Sequence, residues 1–412
     1  MTDHAPTFDA VQAAAPANSG DAARNRLVIA LLLVSTFVVF LNETVMSVAI
    51  PHLMADLGVT ASAAQWLTTA FLLTMAVVIP ITGFLLQRLN TRPIFLLAMS
   101  IFTLGTLICA IAPGLEVLIA GRVVQAVGTA IMMPLLMTTV MTLVPPESRG
   151  TTMGNISIVM SVAPAVGPTI GGFILAHLEW RWMFILVLPI AIGALLLGWR
   201  RIQNVSTPRY APLDLVSVIL SALAFGELVY GLSSFGEEVA HADAASPVPA
   251  WMIVIVGVIG MVLFVWRQLG LQERDRALLD LRVFRSRNYT IAVSMMLVAM
   301  MTLLGTIILL PIYTQNVVGL DTLQTGLLML PGGLVMGLMG PLVGRLYDRL
   351  GPTVLAVPGT LLVTLVMGGL TMVGQQTPVW MLLAGHVVLS IGLALVFTPV
   401  FTASMGSVRK EL

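Results

Sequence analysis

Apolar stretches long enough to cross a bilayer follow one another along almost the whole chain, at about 27–49, 65–86, 93–112, 115–142, 151–176, 182–199, 213–233, 250–269, 289–312, 323–346, 353–373 and 378–402. About 20 apolar residues suffice to span the hydrocarbon as a helix. Hydrophobic residues make up 58% and charged residues 9%, against roughly 45–50% and about 25% in soluble domains. No soluble core needs so much apolar surface, and an all-α polytopic membrane protein of about twelve helices is expected.

The chain also repeats itself. Gly83-Phe-Leu-Leu-Gln-Arg-Leu-Asn90 returns as Gly344-Arg-Leu-Tyr-Asp-Arg-Leu-Gly351, each a hydrophilic hinge between two apolar stretches. Ala120-Gly-Arg-Val-Val-Gln-Ala-Val-Gly128 returns as Ala384-Gly-His-Val-Val-Leu-Ser-Ile-Gly392 at nearly the same offset, and Pro399 answers Pro134. Two pseudo-symmetric helical bundles follow, the parallel-repeat plan of many secondary transporters. The layout reads as a disordered cytoplasmic tail (1–25), a six-helix bundle (26–200), an inserted helix pair with a basic cytoplasmic linker (201–287) and the first four helices of a second bundle (288–412). Counterparts of the fifth and sixth spans are missing, so the repeat predicts a truncated second bundle.

Charge asymmetry predicts topology. With the N-terminus in the cytoplasm, every Lys and Arg except Arg122 and Arg181 falls in or beside a cytoplasmic segment, as the positive-inside rule requires. The loop at 270–287 holds Arg274, Arg276, Arg282, Arg285 and Arg287, whereas the outer loop at 233–249 holds Glu237, Glu238 and Asp243 and no basic residue. Residues 1–25 lack the charged start, apolar core and cleavage site of a signal peptide in that order. Cys109 is the only cysteine, which excludes a disulfide framework or thiolate metal site. Lys410 is the only lysine and precedes Glu411, so no phosphate-binding Gly-Lys-Ser/Thr loop exists. The five histidines are scattered, and neither a serine elbow nor a His-Glu-x-x-His motif occurs. Enzymatic and cofactor-dependent readings fail together.

Ionisable groups within membrane spans are costly and mark function. Glu43 in the first span and Arg122 in the fourth lie at similar depth, where they can meet in the bundle interior. Burial raises a carboxylate's affinity for protons and a nearby arginine lowers it, a balance a proton gradient can drive. Asn42 and Glu43 face Thr302 and Leu303 in the repeat, and Arg122 faces His386, so proton handling is concentrated in the first half. His386 and Glu227, deep in the seventh span, are secondary candidates, each with a structural alternative. Asp214 is expected to cap the seventh span. Ala163-Pro-Ala-Val-Gly-Pro-Thr-Ile-Gly-Gly172 places small residues and prolines in the fifth span, a composition suited to a hinge seam or to tight packing. Arg88, Arg92, Arg345, Asp348 and Arg349 lie at the cytoplasmic loops, where they can latch one conformation or simply set topology. The 25 methionines suit a pliable surface for varied apolar ligands.

Over about 26–412 these residues resemble the major facilitator superfamily, and within it the fourteen-helix drug:proton antiporters. The two copies of the superfamily loop motif are Gly83–Arg92 and Gly344–Gly351; Arg122–Gly128 with Gln125 is similar to the fourth-helix motif; Gly167-Pro168-x-x-Gly171-Gly172 resembles the antiporter motif of the fifth helix. Trp180-Arg181-Trp182-Met-Phe184 with Pro189 is like the start of the sixth helix. The first-helix pattern Leu-Asp-x-Thr reads Leu41-Asn42-Glu43-Thr44 here, which moves the carboxylate one residue, about 100° around the helix. Asn-Glu-Thr, with Gln87 and Thr91-Arg92-Pro93, looks most like the lincomycin-resistance branch. Gln87 replaces a common Asp, which leaves Asp348 as the better latch. The resemblance implies the major facilitator fold with two extra central helices and a proton-coupled multidrug or antibiotic efflux antiporter of the inner (plasma) membrane, working by alternating access. Its expected partners are protons, amphiphilic drug-like molecules and the lipid bilayer, with no nucleic acid and no cofactor or metal. The alternatives are a proton-coupled nutrient importer and a non-transporting membrane scaffold or receptor.

Overall fold

The computed structural model describes residues 19–46, 49–205, 214–240, 249–274, 277–320, 322–374 and 377–406. Its long helices are α1 (Ser19–Val45), α3 (Ala61–Arg88), α4 (Thr91–Ala110), α5 (Leu115–Leu143), α6 (Arg149–His177), α7 (Trp182–Arg201), α8 (Leu215–Ala240), α9 (Ala250–Gln272), α10 (Arg287–Asn316), α11 (Thr322–Leu350), α12 (Pro352–Leu370) and α13 (Val379–Gly406), with a short α2 (Ile50–Leu57) after the first. Among the described residues there are no strands, and eleven helices are long and apolar enough to cross a membrane. The remaining long helix, α6, has 29 residues.

The apolar stretches thus appear as helices within a few residues of their expected limits, because hydrophobic length leaves a membrane segment little other choice. Three differences stand out. Helix α1 begins at Ser19, inside the stretch read as a tail, since Ala22 and Ala23 favour the helix; residues 1–18 lie outside the described residues. Helix α8 runs to Ala240 and takes in Glu237 and Glu238, which the sequence pattern places in the outer loop; Asp243 lies outside the described residues, as do Arg276 and Lys410. The segment after α1 folds into α2, capped by Gly58 at φ 64° with its N–H on the Met54 carbonyl, the left-handed C-cap that glycine favours.

Helices α1 and α3–α7 form one bundle. Its interior is continuous from Val28 and Leu32 through Phe95, Met99 and Phe102 to Leu135 and Leu136, with a second cluster around Leu53, Leu67, Trp180 and Phe184. Helices α10–α13 form the other, centred on Leu389, Leu393 and Val396. The inserted α8 and α9 pack on each other through Gly231, Gly257 and Gly260, and α8 packs against α3, where the Trp66 and Tyr230 rings lie 5.7 Å apart. Contact between the bundles runs mainly along α6 and α11, with α13 beside them.

Candidate functional site

Polar groups of α1, α4 and α5 converge inside the first bundle. Arg122 on α5 is almost completely buried. Its Nη1 donates to Asn42 Oδ1 at 3.3 Å and to Gln125 Oε1 at 3.0 Å. Gln125 in turn donates through Nε2 to Thr106 Oγ1 at 2.8 Å on α4. The guanidinium lies 4.0 Å over the Phe71 ring of α3, a cation–π contact that gains strength out of water. Glu43, next to Asn42, stays out of this network. Its Oε2 is buried without a hydrogen bond, as is Arg122 Nε, and among the described residues no ion pair joins Glu43 to Arg122. Arg122 is therefore held by neutral amides one residue away from the carboxylate expected to hold it. The reason is the helical turn: of two adjacent α1 residues, Asn42 faces the arginine, and Glu43 points about 100° away.

Thr44 completes the α1 motif. Its hydroxyl lies 3.1 Å from the carbonyls of Phe40 and Leu41 on its own helix and 3.1 Å from that of Ala163 on α6. A side chain at Gly167 would overlap Thr44 Oγ1, so the fifth-span glycine serves as the seat for α1. Gly171 is buried one turn further along, and Pro168 lies in the same helix.

At the end of the molecule rich in arginine, α6 and α11 touch backbone to backbone. A Cβ on Gly344 would stand 2.8 Å from the Gly150 carbonyl carbon, and one on Gly154 would stand 2.7 Å from that of Gly340. Both helices carry glycines four residues apart, the spacing that lets membrane helices approach closely. Asp348 on α11 seals the contact. Its carboxylate accepts from Gly150 N, Thr151 N and Thr151 Oγ1, each at 2.9 Å. Ser148, the residue placed to cap α6, makes no side-chain cap bond, so Asp348 satisfies the free N–H groups of that helix from the other bundle. The first loop copy does not match this. Gly83 has open space around its Cβ direction, Arg88 stands 5.7 Å from the centre of the Phe84 ring, and Arg92 Nη2 donates to the Trp199 carbonyl at 2.7 Å inside its own bundle. Arg349 is exposed.

Beside the seam an apolar cleft opens between the bundles. Six methionines line it, Met137, Met153, Met160, Met296, Met300 and Met336, with Phe397 and Phe401. Ser157 and Thr398 meet across it at 2.7 Å. His386 points instead at α11, with Nε2 3.2 Å from the Met329 carbonyl and Nδ1 buried without a partner. Glu227 sits in α8 against α9, and among the described residues no hydrogen bond or ion pair connects it to Glu43 or Arg122. Of the five proton-handling candidates, then, Asn42, Glu43 and Arg122 share one site, and His386 and Glu227 stand apart from it.

Phe71, Thr106, Thr151 and Ser157 carry no sequence signal of their own. Asp214 caps α8 as expected, accepting from Ser217 N at 3.1 Å, and it also binds Arg267 of α9 through two bonds of 2.7 and 2.8 Å. That pairing of i and i+53 was legible only in three dimensions.

The profile of the Major Facilitator Superfamily matches residues 32–412. The chain is 39% identical over 396 residues to the lincomycin resistance protein LmrB of Listeria innocua, covering 96% of this chain and 82% of that protein. It is 39% identical over 386 residues to YcnB of Bacillus subtilis, an uncharacterized MFS-type transporter, covering 94% and 80%. A multidrug resistance protein B homolog of Mycobacterium tuberculosis is 31% identical over 332 residues, covering 79% and 59%. The crystal structure of the human organic anion transporter MFSD10 (TETRAN) superposes with a TM-score of 0.65 at 18% identity, covering 92% of this chain and 85% of that one; at that identity the likeness concerns the fold.

Proposed function

This chain belongs to the Major Facilitator Superfamily, and we propose that within it the protein exports amphiphilic, antibiotic-like compounds in exchange for protons. The observation that carries the reading is Glu43, an acid in a membrane-spanning helix whose buried oxygen has no hydrogen bond, beside an arginine already held by Asn42 and Gln125. A carboxylate so placed has little static reason to be there, because a buried charge whose oxygen lacks a hydrogen bond is costly. Accepting a proton removes that cost, and releasing it restores it. The site therefore answers to protonation without first breaking an ion pair.

The remainder of the path follows from the contacts. Thr44 and Gly167 join the α1 site to α6, and α6 forms the seam with α11. A shift of α1 on protonation acts on the helix that holds the bundles together. With the N-terminus on the cytoplasmic side, the Asp348 seam closes the cytoplasmic end, and the methionine-lined cleft faces the path between the bundles. Pliable thioethers and two phenyl rings suit varied apolar ligands, and the Ser157 and Thr398 hydroxyls supply the polar contacts. Each proton moving down a 100 mV potential contributes about 2.3 kcal/mol.

The relatives named for lincomycin and multidrug resistance support this substrate class. The deciding experiment is transport by the protein in sealed vesicles under an imposed pH gradient. Drug moving against the proton flux supports the reading; drug moving with it makes the protein an importer, and drug flux independent of the gradient removes proton coupling.

A further inference from the structure

Between α9 and α10, the backbone of residues 278–282 is held by side-chain hydrogen bonds. Gln268 of α9 is completely buried and Gln272 nearly so. The Gln268 Oε1 accepts from Leu278 N at 2.8 Å and Leu279 N at 3.2 Å, and Gln272 Oε1 accepts from Leu281 N. Asp280 accepts from Arg282 N at 2.9 Å and begins a short 3₁₀ helix, Leu281–Arg285. The Gln268 amide nitrogen also donates to Ser217 Oγ at 2.7 Å, on the same Ser217 whose hydroxyl donates to Asp214. Side chains of the inserted helix pair thus fix the backbone of the connection.

What the fixed segment presents outward is unusual. Leu279 is 44% exposed and Phe284 47%, with Phe284 edge-on to Tyr289 at 5.4 Å. Exposed apolar groups set among basic ones suit a membrane interface. The arginines divide in the same sense. Arg267 is paired with Asp214 and Arg282 with Asp280. Arg274, Arg285 and Arg287 are exposed, and among the described residues none of them forms an ion pair, including with the exposed Glu273 beside them. Arg267 ties α9 to α8 and Arg282 binds within the segment, whereas Arg274, Arg285 and Arg287 are left for something outside the protein that carries negative charge.

We propose that Arg274, Leu279, Phe284, Arg285 and Arg287 form a docking surface for anionic phospholipid headgroups, with the three arginines on lipid phosphates and Leu279 and Phe284 set into the leaflet. Apolar groups alone would accept any lipid, and the three unpaired guanidiniums select the anionic ones. The proposal stands apart from the transport reading, since it requires only that α9 and α10 cross the membrane. Its consequence is that the α9–α10 junction is tied to the leaflet surface.

The test uses the full chain in nanodiscs of phosphatidylcholine with graded phosphatidylglycerol, followed by native mass spectrometry of the lipid retained. Preferential retention of phosphatidylglycerol is expected, falling about tenfold in R274Q/R285Q/R287Q. Because those three side chains form no hydrogen bond or ion pair among the described residues, the variant should remain monodisperse. Removing the same charge elsewhere, in R200Q/R201Q/R345Q, should leave retention unchanged, and L279S/F284S should lower it with every charge kept. Full retention by the first variant overturns the proposal, as does an equal fall in the charge-matched control.

Discussion

Arg122 donates to Asn42 at 3.3 Å and leaves the adjoining Glu43 with a buried oxygen that bonds nothing. Arginine and acid thus sit side by side without forming a pair, so the arginine keeps its place on neutral partners while the acid is free to change charge.

The first prediction follows from that separation. Glu43→Gln keeps the shape of the side chain and removes its titration, so proton-driven accumulation should fall by about fiftyfold, the ratio that one coupled charge supplies across 100 mV. Substrate binding, measured by fluorescence titration, should stay detectable, because the cleft lining does not include Glu43. Undiminished pumping by this variant would end the assignment.

The seam between α6 and α11 should respond to single changes. Asp348→Ala deletes three hydrogen bonds across the bundles, and bonds to charged groups contribute about 1.5–3 kcal/mol each when shielded from water and less when exposed, as here. Gly154→Val forces a side chain against the Gly340 backbone, with an overpacking cost of about 1–3 kcal/mol. Both should shift the molecule toward the state in which this end is open. Spin labels at Arg88 and Arg349, both exposed, report the separation, and the only cysteine, Cys109, is buried and does not compete for label. Unchanged distance distributions in both variants would mean that the seam is no latch.

Filling the cleft should weaken drug binding. Met300→Trp places a bulky ring among Met296, Met336 and Phe397, and affinity for an amphiphilic drug should fall about tenfold or more, about 1.4 kcal/mol per factor of ten. Met300→Leu, similar in volume, should bind nearly as the parent does. If both variants bind equally well, the substrate lies elsewhere.

The foot of the inserted pair gives a pH dependence. The hydrogen bonds from Arg267, helped by Ser217, hold the Asp214 carboxyl down at about 2, against an ordinary 3.8. A lowered value means that the folded state favours the charged form, so this contribution to stability is complete above about pH 4 and fades as pH falls through about 2. Asp214→Asn should therefore lower the thermal midpoint in detergent at neutral pH, with the gap to the parent closing near pH 2. A gap that stays constant over that range would show that the carboxylate's charge plays no part.

Much of this architecture could be read along the chain because the bilayer is so restrictive a solvent. An apolar stretch of membrane length has to satisfy its own backbone, so hydropathy alone located α1 and α3–α13, to within a few residues except at the start of α1 and the end of α8. The repeated Gly-x-x-x-x-Arg loops announced two related bundles, and an acid and an arginine inside spans announced the candidate site. Tertiary structure decided how those parts meet. Which of Asn42 and Glu43 touches Arg122 depends on how α1 is rotated against α5, a packing result that linear spacing does not contain. Both loop copies carry the motif, yet only Asp348 finds a helix N-terminus to seal, because only Gly344 lies against Gly150. The bond between Asp214 and Arg267 and the hold of Gln268 on Leu278 likewise join residues whose nearness is set by helix pairing, and side-chain identity alone carries no record of it.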